Sequence, residues 1–113
     1  MKTKTPVTMA IAMAMAFVLS SCATGIKLTE QGEKVRLLDP GEVASCRKLG
    51  NSNTSVTWQI AGIARPEETI SRELQVIARN SASRMGGDTI VPLTVIDKGE
   101  QTFVVYKCVN PDG

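Results

Sequence analysis

Three thiols hold most of the chemistry open to this sequence: Cys22, Cys46 and Cys108. A cysteine can act as nucleophile, metal ligand, redox partner, crosslink or acylation site. No histidine occurs anywhere, which removes the commonest general base and the commonest metal ligand. Cys46 and Cys108 lack the Cys-x-x-Cys spacing of redox pairs, and neither opens a predicted helix, where a thiol pKa would fall. Glu67 and Glu68 are adjacent, and adjacent helical side chains do not face each other. They read as partners of the helix dipole, not as an acid/base pair. Asp88 follows two glycines and reads as a turn cap. Gly86 and Gly87 follow a predicted helix, so they are a helix stop and not a phosphate cradle. The serines have no visible base. Covalent attachment and crosslinking remain, and the expectation is no enzyme activity, no cofactor and no metal.

The setting of Cys22 suggests attachment. Lys2 and Lys4 precede an apolar run over residues 7–19 that only Thr8 interrupts, followed by Ser20 and Ser21. A basic start, a short apolar core and small residues at the end make a secretory signal. The run is shorter than the roughly 20 apolar residues a spanning helix needs. Leu19-Ser20-Ser21-Cys22 resembles the bacterial lipobox. That resemblance implies cleavage between Ser21 and Cys22, a diacylglycerol on the Cys22 sulfur, and a further acyl chain such as palmitate on the new amino group. Two or more acyl chains anchor stably where one does not. Ala23, rather than Asp, follows Cys22, which favours the outer membrane over the inner, with the protein facing the periplasm. The chain then divides into a signal peptide (1–21), a lipidated N-terminus with a short tether (22–33) and one domain (34–113).

Removing the signal balances the charge. The whole chain has 13 Lys and Arg against 11 Asp and Glu, and two of the lysines lie in the signal. No basic excess remains to suggest a nucleic-acid partner. A domain of this size buries only roughly 60–70% of its unfolded surface, so a covalent staple would help. The periplasm is oxidising, and two leftover thiols in an exported domain usually pair. A Cys46–Cys108 disulfide is therefore expected.

The elements that must position these residues follow from pattern. Residues 35–38 read as a short strand and residues 39–41 (Asp-Pro-Gly) as a turn. Residues 42–50 read as a second strand, and residues 51–55 (Asn-Ser-Asn-Thr-Ser) as a loop by composition. Residues 58–64 are open between a strand, a hairpin arm and a structured loop. Residues 66–85 predict a helix, with Pro66 in its first turn. Its apolar stripe would be Ile70, Leu74, Ile77, Ala78, Ser81 and Met85. Residues 89–96 read as a strand in which Pro92 suggests an edge or a bulge. Residues 97–100 read as a hairpin loop, and residues 101–109 as the last strand. The order β-β-α-β-β predicts an α+β fold, a small mostly antiparallel sheet with one amphipathic helix packed on it.

Cys46-Arg47-Lys48-Leu49-Gly50 and the stretch from Ala78-Arg79-Asn80 through Gly86-Gly87-Asp88-Thr89 to Ile90-Val91 resemble a domain-of-unknown-function family of small bacterial outer-membrane lipoproteins. They are more distantly similar to the RcsF-type lipoproteins that sense envelope stress. The resemblance implies an α+β domain without catalysis. It departs from the stress sensors in having a short tether and a single possible cysteine pair. The expected role is a membrane-anchored, periplasm-facing interaction module that binds an envelope protein, peptidoglycan or lipid. The alternatives are a purely structural lipoprotein and an envelope-stress signalling component. Trp58, the single tryptophan, is either a partner-binding anchor or a cover for the sheet. Arg72, Arg79 and Lys98 either contact anionic lipid or are simply solvated.

Overall fold

The computed structural model describes residues 26–112. The predicted signal peptide, the cleavage point at Ser21 and Cys22 itself lie outside the described residues.

The helix, α1, spans Glu67–Arg84, with Glu67 and Glu68 in its first turn. Ile70, Leu74, Ala78 and Ala82 are its buried residues. They form a strict four-residue row, the ridge that most often packs in globular proteins. Because that row tilts around the helix, Ile77 and Ser81 are only half-buried and Met85 is exposed. Ala82, absent from the predicted stripe, is buried in their place. The helix stops as Gly86 takes φ +81°. The Gly87 N–H then reaches back to the Ala82 carbonyl at 2.8 Å and the Gly86 N–H to the Ser83 carbonyl at 3.1 Å. This is the paired C-terminal cap that satisfies the last carbonyls. Gly87 is required for a different reason, since a Cβ there would lie 2.5 Å from Val105 Cγ1.

The main sheet has four strands: β1 (Arg36–Leu37), β2 (Arg47–Ser55), β5 (Thr89–Pro92) and β6 (Glu100–Lys107), in the order β1-β5-β6-β2. β6 is antiparallel to both its neighbours, whereas β1 runs parallel to β5. A separate hairpin is formed by β3 (Gln59–Ile60) and β4 (Ile63–Ala64), which settles residues 58–64. Ile90 faces Val105 across the sheet, and Ser52 faces Phe103. Val35, Ile90, Phe103 and Val105 join the α1 row in one buried cluster. The fold is thus the expected α+β arrangement, a mostly antiparallel sheet with one helix packed on it.

The second strand needs correction. It was expected at 42–50, with 51–55 as a loop, but β2 runs Arg47–Ser55. Residues Pro40–Glu42 instead make a 3-10 turn, closed where the Asp39 N–H donates to the Glu42 carboxylate at 2.9 Å. Composition misleads because Ser52 and Thr54, 6% and 3% exposed, are polar core residues. They are small enough to lie under the helix, and the Thr54 hydroxyl donates to the Gln101 carbonyl at 2.7 Å. A buried hydroxyl with a partner is tolerated.

β5 is also shorter than the expected 89–96. It ends at Pro92, which lies beyond the last residue of β1. The Ile90 carbonyl points toward β1, where it accepts from Leu38 N–H at 3.0 Å. By alternation the Pro92 nitrogen points the same way, where no strand remains, so its missing donor costs no pairing. The turn to β6 is tight, with Lys98 and Gly99 at φ 49° and 74°. Asp97 and Glu100 exchange both backbone hydrogen bonds at 3.0 Å.

β1 and β2 are parallel and occupy opposite edges, so residues 38–46 must cross the sheet. Right-handed connection is the rule for parallel strands, and it carries this crossing over the face away from α1. That accounts for the burial of Val43, Val91 and Val104 outside the helix-side cluster.

The stretch expected to be a tether, 22–33, is described from Ile26 onward, and this part is not free. Asn80 holds it, donating to the Lys27 carbonyl at 2.9 Å and accepting from the Thr29 N–H at 2.9 Å. Arg79, expected to contact lipid or solvent, donates instead to the carbonyls of Val35 at 2.8 Å and Glu33 at 3.0 Å. Gly32 lies so close to the Asn80 amide oxygen that a Cβ would collide with it. The folded body therefore begins before residue 34, because α1 supplies the partners that residues 27–35 lack among themselves.

Candidate functional site

Two ends of the sheet gather the residues the sequence singled out. At one end Cys46 and Cys108 are joined by a disulfide, with their Cα atoms 4.3 Å apart. The pairing follows from register, since Arg47 sits opposite Lys107 and places the two cysteines at the next position. Asp88 secures the same end. Its Oδ1 accepts from the Cys108 N–H at 2.8 Å and the Thr89 hydroxyl at 2.9 Å, and its Oδ2 accepts from the Val109 N–H at 2.9 Å. The expected turn cap is thus a clamp on the residues that follow β6.

Partial burial pushes the Asp88 carboxyl upward. The N–H groups of Val109 and Cys108, the Thr89 hydroxyl and the charge of Arg36 together outweigh it and hold the group below the usual carboxylate value. A depressed carboxylate contributes stability that is full above its unfolded pKa, about 3.9, and lost as pH falls through the folded value. Acid titration of the folded protein is therefore expected to show a loss of stability beginning below about pH 4–5. An Asp88→Asn variant should show a shallower loss over that range in pH-dependent urea unfolding. Identical slopes for the two proteins would remove Asp88 from the account.

The opposite end carries Trp58 and the β3–β4 hairpin. Trp58 is half-buried and packs on the core cluster beside Val56 and Ile96, so the structure places it as a cover over the sheet. Its carbonyl accepts from the Arg65 N–H at 2.8 Å. The Arg65 guanidinium then closes the hairpin base. It donates to the Thr57 carbonyl at 2.6 Å and to both carboxylate oxygens of Glu73 at 3.1 and 2.6 Å. The Glu73 hydrogen bond raises the already high Arg65 pKa, against the desolvation that lowers it. The hairpin turns through Ala61 and Gly62 at φ 53° and 78°, the two positive values that suit a two-residue turn. Its tip leaves Ile60 and Ile63 63% and 73% exposed.

Beside the hairpin base lies an open cleft of about 660 Å³ lined by Ile26, Ser55, Val56, Thr57, Arg65 and Glu73. A second open groove, about 560 Å³, includes Asn53, Thr94, Asp97, Gln101 and Thr102. Part of its polar lining is bonded internally, Thr102 to Asn53 and Gln101 to the Thr94 carbonyl, each at 2.9 Å. Among the described residues, no three His, Cys, Asp or Glu side chains come together as metal ligands. No helix among them is long and apolar enough to cross a membrane.

The sequence did not single out Arg65, Glu73, Ile60 or Ile63. The ion pair spans an extended-to-helix junction and leaves no periodic signal. The hairpin did leave one, in the symmetric Gln-Ile-Ala-Gly-Ile-Ala stretch with Gly at a turn position.

These features define a small disulfide-bonded α+β domain whose clefts are open and shallow. The chain belongs to the family described as Domain of unknown function (DUF4156), whose model matches residues 26–108. It is 27% identical over 105 residues to Uncharacterized protein YjeI of Escherichia coli (strain K12), an alignment covering 84% of this chain and 90% of the relative. Uncharacterized protein YjeI of Shigella flexneri matches to the same extent. No solved structure matches.

Proposed function

We propose that the chain is a lipoprotein acylated on Cys22, held on the outer membrane facing the periplasm, and acting there as a non-enzymatic interaction module. The observation that carries this reading is the arrangement of its cysteines. One ends a signal-like segment at a lipobox-like Leu19-Ser20-Ser21-Cys22, and the other two are crosslinked in a domain that starts by residue 26. Disulfides persist in oxidising compartments, which fits export of a chain with that leader. The module role draws support from β2, a nine-residue strand on the open edge of the sheet. An open edge can accept a partner's strand by backbone pairing.

Intact-mass spectrometry of the membrane-extracted protein, before and after reduction, tests the reading. The expected mass is that of a chain beginning at Cys22 plus acyl groups, increasing by two hydrogens on reduction. A Cys22→Ala chain should keep its leader and carry no lipid. A wild-type chain that is unprocessed and unlipidated overturns the proposal.

A further inference from the structure

We infer that the β3–β4 hairpin docks against the bilayer that holds the Cys22 lipid, seating Ile60 and Ile63 among the acyl chains just below the headgroups. The inference rests on the lipoprotein reading and adds to it a second contact point, and therefore an orientation.

Composition gives the first support. No Asp, Glu, Lys or Arg occurs between Lys48 and Arg65, so the whole hairpin is uncharged. Ile60 pairs directly with Ile63, and directly paired residues point to the same side of a ribbon. These two exposed large hydrophobic side chains therefore form one apolar knob. A tight turn through Ala61 and Gly62 adds no polar side chain at the tip.

Rigidity gives the second. Arg65 binds the Thr57 carbonyl and the Glu73 carboxylate, and its own N–H binds the Trp58 carbonyl. Gly99 fits against Val56 and Trp58 so closely that a Cβ there would strike the Val56 carbonyl, and its carbonyl accepts from the Val56 N–H at 2.8 Å. The knob is thus presented on a braced base, and docking it orders little that is not already ordered.

Reach gives the third and identifies the occupant. Ile26 lines the same cleft as Thr57 and Arg65, at the hairpin base. Cys22 lies four residues before Ile26, and four extended residues span at most about 13–14 Å. Each hairpin arm, rising about 3.3 Å per residue, extends a comparable distance from that base. A lipid on Cys22 therefore holds the membrane surface within reach of the tip. A chain leaving from the other end of the sheet, beside the disulfide, could not do this.

The charges that follow the hairpin in sequence do not favour an anionic surface. Arg65 is paired with Glu73, and Glu67 and Glu68 follow Pro66 in the first turn of α1. The contact is therefore apolar, and it should be insensitive to salt and to the anionic lipid content, unlike a basic patch.

The test uses the lipidated, membrane-extracted protein with its native disulfide, reconstituted into vesicles of phosphatidylethanolamine and phosphatidylglycerol. Trp58→Phe removes the native fluorophore. In that background Ile63→Trp places a fluorophore on the knob, and Val109→Trp places one at the disulfide end. Lipids brominated near the glycerol end of the acyl chain should quench the Ile63→Trp protein and leave the Val109→Trp protein bright. Intact mass of the same samples establishes whether the lipid is present. Equal quenching, or none, in a chain carrying its lipid overturns the docking while leaving the anchor intact. A chain with no lipid overturns the reading on which the inference rests. A fluorophore on the knob shielded from aqueous acrylamide but not quenched by brominated lipid would assign the knob to a second copy of the chain, and that too overturns the proposal.

Discussion

Replacing Cys46 and Cys108 together by serine is expected to lower the unfolding free energy by roughly 4 kcal/mol, the chain-entropy value for a loop of this length. The bond joins residues separated by 62 positions and so constrains most of the domain in its unfolded state. The folded state should change little. β2 and β6 pair from Arg47 and Lys107 to Ser55 and Glu100 whether or not the sulfurs are joined. The effect should therefore appear as a lower urea midpoint with native-like circular dichroism in the folded baseline. Since small domains hold about 5–15 kcal/mol in total, the double variant should be near the limit of folding at physiological temperature. Coincident midpoints for the oxidised wild type and the double variant would show that the bond contributes nothing. Reduction of the wild type should reproduce the variant, which guards against an effect of the serine side chains themselves.

Phe103→Ala is expected to cost about 3–5 kcal/mol. Phe103 is fully buried on the interior strand β6, between Pro92 on one side and Ser52 on the other. Neither neighbour can extend into the space the ring leaves. Leu74 and Ala78 approach from α1, whose position is set at both ends, by Arg65–Glu73 near its start and by the close seat of Gly87 on Val105 at its stop. The cavity should persist rather than collapse, which places the cost toward the upper part of the range. Val95→Ala provides the contrast. Val95 is 83% exposed, and its loss should stay within about 0.5 kcal/mol. Equilibrium unfolding of both variants decides the matter, and similar midpoints would mean that the ring is not the centre of the core.

The helix was legible because its burial is periodic, with Ile70, Leu74 and Ala78 recurring every four residues. The last strand was legible because it is a run of β-branched and aromatic residues, buried on both faces at Phe103, Val104 and Val105. The stop at Gly86 was legible because only a residue tolerant of positive φ ends a helix in that way. β2 was not, because a loop and a strand of small polar residues have the same composition. What distinguishes them is a covering helix and a carbonyl for Thr54, and neither is local in sequence. The clasp of residues 27–35 was hidden for the same reason, since Asn80 and Arg79 reach their partners across 44 to 53 positions. Of the candidate site, the cysteine pair could be read because two thiols in a domain whose leader reads as an export signal have few other expected fates. Trp58 was left between two readings, and the structure shows its packing against the core cluster. Ile60 and Ile63 were missed because a short apolar run does not itself say whether it is buried.

The central place of β6 has a consequence for the order of events during synthesis. It is the last strand in the chain order, yet it supplies the pairing on both of its sides. Without it β2 has no neighbour, β5 keeps only the two-residue β1, and Phe103 and Val105 are absent from the core. A growing polypeptide therefore cannot close this domain until residue 107 is available, and cannot lock it until Cys108 follows. Up to that point the sheet lacks the strand that joins its two halves.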